Sequence, residues 1–220
     1  MARPRVSGCW VGDRMRDGRS LVPALRRIVR LHLQLLELYP APWRRIEIRA
    51  EATFWALHVA IQNAMGWTDS HLHDFELPNV DSGEPVWIGM PDLDDEDREI
   101  LVDFDERLDS WIHSEGERLF YNYDYGDGWR HELVVEAVQP AAPRIRYPRC
   151  LAGERACPPE DVGGPAGYEA LLEALRDPDH PEHDEYRLWV GGSFDPERFD
   201  VAQVRFEDPA RRLREVYDFA

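Results

Sequence analysis

Apolar and polar residues alternate from Val29: Val29, Leu31, Leu33 and Leu35 fall on one side of the chain, Arg30, His32 and Gln34 on the other. That period of two predicts a half-buried strand. Tyr39-Pro40-Ala41-Pro42 interrupts it. Ile46 and Ile48 against Arg45, Glu47 and Arg49 resume it, which predicts two antiparallel strands joined by a proline-containing turn. The period then lengthens. Phe54, Leu57, Ile61 and Met65 share one helical face, between Thr53, whose hydroxyl can cap a first turn, and Gly66, a stop. A ββα opening of this kind is typical of α+β folds.

Further on, RLFYNYDYGDGWRHELVVE places Gly126-Asp127-Gly128 between two β-rich runs, a hairpin signal. A three-residue loop would set Tyr125 opposite Trp129, Tyr123 opposite His131 and Tyr121 opposite Leu133. One face would then be aromatic and aliphatic with a single imidazole in it. The stretch after it, YPRCLAGERACPPEDVGGPAGY (147–168), mixes prolines, glycines and charges, and predicts a fixed irregular loop. Tyr168, Leu171, Leu172 and Leu175 then form a helical stripe behind Pro165, and Pro178 ends it. DPDHPEHDEY predicts a polar loop, and Asp208-Pro209 starts a last helix. No repeat or low-complexity linker divides the chain. The expectation is a basic, flexible extension over residues 1–27, then one α+β domain over 28–220. That domain is an antiparallel sheet of hairpins with helices packed on it.

Charge narrows the function classes. The formal net charge is −17, yet residues 1–30 carry eight Arg against Asp13 and Asp17, so the remainder is more acidic still. Direct nucleic-acid binding by such a body is disfavoured, because counterion release needs clustered cations; a protein partner or a small ligand fits better. Every basic residue is Arg, which removes Schiff-base and P-loop lysine chemistry. Three cysteines are too few for a disulfide framework. No apolar run reaches about 18 residues, so no membrane span is expected, and the N-terminus lacks a signal-peptide core. The reading is cytoplasmic.

Candidate chemistry gathers in three places. His71 and His73, at i and i+2 with Asp69, Asp74 and Glu76 close by, point to one side if the chain is extended there. They either share a metal ion or line a solvent face. Residues 91–106 are acidic and predict a solvated loop. His131 reads either as a base or ligand at the rim of the sheet or as a core histidine with a phenolic partner.

Four segments together resemble a known family: WRRIEI with LHVAIQNAMGW; HLHDFEL; YDYGDGWRHELVVE; and CLAGERACPPEDVGG with GYEALLEAL, DPDHPEH and FDPERFD. They resemble the plasmid pRiA4b ORF-3-like family, whose members are often labelled TnpR-type passenger proteins of insertion elements. The resemblance covers roughly residues 28–206. It implies an α+β domain and a mobile-element association, and it hands over no mechanism. The family commonly has Cys where this chain has Val162.

Three readings follow. The first is a binding or accessory module. The second is a metal-dependent hydrolase. The candidate cleft for either is His71, His73, Asp124, Asp127, Trp129, His131, Glu160 and Asp161, with a divalent metal as the possible cofactor. The third is a structural zinc site from Cys150, Cys157, His180 and His183, at spacings unusual for zinc. Glu160-Asp161, facing the GDGW turn, is expected to form a rigid lid beside the Tyr123-His131 face.

Overall fold

The computed structural model describes residues 26–79, 83–90 and 99–216; the basic stretch 1–25 and the first half of the acidic run, 91–98, lie outside them. The fold is α+β: the described residues form one eight-stranded sheet with five α-helices. Strands β1 (Arg27–Leu35) and β2 (Trp43–Arg49) form the expected opening hairpin. They are followed by α1 (Phe54–Met65), with Thr53 Oγ1 accepting from the Ala56 N–H at 3.2 Å and Gly66 left-handed at φ 88°. Then come β3 (His73–Leu77), β4 (Val86–Gly89), β5 (Ile100–Val102) and a single turn, α2 (Leu108–Trp111). The second half holds β6 (Arg118–Tyr123), β7 (Trp129–Pro140), β8 (Arg149–Glu154), α3 (Gly164–Arg176), α4 (His183–Trp189) and α5 (Pro209–Val216).

The strand order is β5-β4-β3-β6-β7-β1-β2-β8. All pairs are antiparallel except β4 with β5 at one edge. The alternation read from β1 divides the sheet into two faces. Val29, Leu31, Leu33 and Leu35 are sealed in the core with Phe54, Leu57 and Ile61 of α1 and with Tyr121, Tyr123 and Leu133. The other face carries charge pairs between strands: Arg30 to Glu47 at 2.8 Å and Arg149 to Glu47 at 2.7 Å join neighbours, and Arg45 to Glu136 at 2.6 Å reaches across β1. Among the described residues no helix is long and apolar enough to cross a membrane.

Three expectations are corrected. The GDG hairpin pairs Tyr123 with Trp129 and Tyr121 with His131, so the loop spans Asp124–Gly128 and the register differs by two residues. Asp124 causes this: its Oδ1 accepts from the Gly126 and Asp127 N–H groups at 3.0 and 3.2 Å and its carbonyl from Gly128 at 2.6 Å. An even shift keeps every side chain on its expected face. Second, the stretch 147–168 is not irregular throughout. Residues 149–154 form edge strand β8, and Gly153 lets it approach closely, since a Cβ there would lie 2.6 Å from the Phe199 ring. Third, the polar loop after α3 is shorter than expected, because α4 begins at His183.

Candidate functional site

The segment Trp67–Leu72, the hairpin turn and the loop 158–163 meet at one end of the sheet. The Trp67 indole N–H donates to the Pro158 carbonyl at 2.9 Å. Glu160 takes three bonds: from the Tyr123 hydroxyl at 2.5 Å, the Thr68 hydroxyl at 2.5 Å and the Thr68 N–H at 2.9 Å. Burial and the Glu160 carboxylate both push the Tyr123 phenol far above its ordinary value, so it stays a donor. On the other side the Gly163 N–H donates to Asp127 Oδ2 at 3.1 Å, and Gly164 leaves no room for a side chain, since a Cβ there would lie 2.4 Å from the Asp127 carbonyl oxygen. The lid expected from Glu160-Asp161 therefore lies against the turn, held from two directions.

His71 sits in this junction, ahead of β3, edge-on to the Tyr123 ring at 5.8 Å. Its Nε2 is 3.0 Å from Asp161 Oδ1 and 3.5 Å from Asp124 Oδ2. Asp124 has its other oxygen tied to the turn backbone, so Oδ2 is the one it can offer. The Asp161 side chain is 71% exposed. The three groups come within 4.8 Å of one another and could hold a metal ion.

His73 lies apart. Its ring is sealed in the core, bonded through Nε2 to Asp103 Oδ2 at 2.9 Å and stacked on His58 at 3.5 Å with a 10° interplanar angle. Asp103, inside the run expected to be solvated, is fully buried for this purpose. His58 in turn bonds Asp69 at 2.8 Å and the Tyr121 hydroxyl at 2.8 Å. Burial and the neighbouring His73 lower its pKa to about 4, against the opposing pull of Asp69. His58, Asp69 and His73 also come within metal-binding reach of one another. Two parallel imidazoles this close cannot both aim an in-plane lone pair at one ion, so this set suits hydrogen bonding and not coordination.

His131 is a core histidine and not a rim base. It is fully buried, its Nδ1 is 3.3 Å from the Tyr121 carbonyl, and burial drives its pKa down to about 3. Trp129 is likewise interior, against Trp67. The proposed zinc ligands do not gather. Cys157 is buried beside Met65 Sδ and Arg44 Nη2, both at 3.3 Å, with burial pushing its pKa up to about 11. The Cys150 thiol faces the Ala152 carbonyl, His180 accepts from the Glu182 N–H, and His183 bonds the Ala174 carbonyl.

Sequence reasoning missed the far wall of the cleft. Glu182, just ahead of α4, and Glu185, Tyr186 and Trp189 on it follow helical spacing and, with Asp161 and Val162, line a cavity of about 290 Å³. The signal was present as that i, i+3, i+4, i+7 spacing.

The fold and site thus define a single-sheet α+β protein with an acidic, partly aromatic cleft at the turn end of the sheet. The family model for plasmid pRiA4b ORF-3-like proteins matches residues 27–203, and the chain belongs to that family. It is 39% identical over 183 residues to the uncharacterized protein y4hQ of Sinorhizobium fredii, covering 81% of this chain and 87% of that protein. It also resembles the crystal structure of MM3350, a protein of unknown function from Methanosarcina mazei Go1. The TM-score is 0.75 at 36% identity, over 83% of this chain and 100% of that one.

Proposed function

We propose that the chain is a binding module whose cleft receives a basic segment of a partner protein. The observation that carries this is the wall formed by α4. Helix α4 has no buried residue, yet Tyr186 packs against the core and Trp189 remains 47% exposed beside it. Glu182 and Glu185 pair with no cation among the described residues, and Asp161 lines the same cavity. Carboxylates alone would be a solvated face. Carboxylates around two aromatic rings suit an arginine side chain, which takes ion pairs at its edge and stacks on its plane. The hydrolytic alternative finds less support: Glu160 is fully engaged by Tyr123 and Thr68, and His131 is out of reach in the core.

The test is calorimetric titration with acetyl-Gly-Arg-Arg-Gly-amide against its norleucine counterpart, with single-stranded DNA as a control. The arginine peptide should bind, more weakly as salt rises, and Trp189→Ala should weaken it by about three- to tenfold. Equal binding of both peptides, or no effect of Trp189→Ala and Glu185→Gln, would refute the reading.

A further inference from the structure

His71 Nε2 is closed off from solvent and makes no hydrogen bond, although two carboxylate oxygens lie 3.0 and 3.5 Å away. The nearer oxygen, although within hydrogen-bond distance, therefore lies off the nitrogen's own axis. A simple histidine–carboxylate ion pair would place one there. A metal ion would not. Ligands about 2.1 Å from an ion, at angles between square and tetrahedral, stand roughly 3.0–3.5 Å from each other and off each other's axes. The observed separations fall on those values.

We propose that His71, Asp124 and Asp161 form a site for a divalent transition-metal ion. One imidazole and two carboxylates favour zinc, manganese or iron(II) over calcium or magnesium, which prefer all-oxygen shells. Two of the three ligands are fixed before any ion arrives. Asp124 is held by its own turn, and His71 by its contact with the Tyr123 ring. The third, Asp161, is carried by the loop that Glu160 anchors to Tyr123 and Thr68. Glu160 is thus a positioning residue, and the exposed Asp161 closes the set. The site stands independently of the basic-segment reading, since only Asp161 is common to both.

The full-length chain, stripped with chelator and dialysed, is titrated with zinc chloride, with cobalt(II) as a spectroscopic substitute. One equivalent should bind at micromolar ion or tighter, with ligand-field absorption in the cobalt form. His71→Asn and Asp161→Asn should each weaken it by about tenfold or more. His180→Gln with His183→Gln should leave it unchanged. Asp161→Asn alters an exposed side chain, so folding, followed by circular dichroism, will not confound that arm. Absence of a saturable site at micromolar zinc, or a site indifferent to both His71→Asn and Asp161→Asn, overturns the proposal. Neither result bears on the peptide experiment, whose variants are Trp189→Ala and Glu185→Gln.

Discussion

His131 shows how one buried imidazole ties stability to pH. Its folded pKa, about 3, lies below the ordinary histidine value near 6.5, so the unfolded chain binds the proton more readily. Its contribution is complete above about pH 6.5 and is lost as pH falls toward 3. At pH 4.5 this one group should remove about 2–3 kcal/mol relative to pH 7. His131→Leu keeps the bulk and removes the titration. Urea midpoints at the two pH values should therefore differ less in the variant than in the parent, and parallel curves would show that His131 does not titrate on unfolding. At this level the sequence was partly readable. The aromatic face around His131 followed from alternation alone, but whether it was a rim base or a core group depended on Trp67, which packs edge-on at 5.4 Å from a different element. The same holds for His71 and His73. Their i, i+2 spacing was plain, while the carboxylates that separate them, Asp161 and Asp103, come from 90 residues onward and from an acidic run that reads as solvent-facing.

Helices and hairpins with local signals came through. The cap at Thr53, the stop at Gly66 and the proline near the start of α3 all act within a turn or two of themselves. The 124–128 turn and β8 did not, because an Asp bonding its own backbone and an edge strand leave no mark on the hydrophobic period. The loop–turn junction can be tested through two glycines. Gly66→Ala meets nothing within 4 Å and should cost only the positive-φ strain, about 1 kcal/mol. Gly164→Ala has a similar φ of 69°, but its Cβ would fall 2.4 Å from the Asp127 carbonyl oxygen. It should cost about 1–3 kcal/mol and push the loop off the turn. Zinc affinity should then fall in Gly164→Ala and hold in Gly66→Ala. An equal effect of both would mean that the loop does not position Asp161.

Over the whole molecule, charge organises what the strand order assembles. No local pattern says that β1 lies between β7 and β2, or that α5 docks beside α1. There Arg212 bonds Asp69 at 3.1 Å and the Trp55 indole N–H donates to the Pro209 carbonyl at 2.8 Å. Those long-range pairings bring Asp161 between His71 on one side and the α4 cavity on the other. A doubly charged ion on His71, Asp124 and Asp161 would cancel the negative potential that a basic side chain in the cavity relies on. Zinc and the arginine peptide should therefore oppose one another, and linkage requires each to weaken the other by the same factor. About three- to tenfold is expected at low ionic strength, shrinking as salt screens the interaction. Peptide titrations with and without saturating zinc measure it, with Asp161→Asn as the variant in which the effect collapses. Zinc that strengthens peptide binding would mean that the ligand reaches the ion's open positions, and the shared-carboxylate account would have to be abandoned.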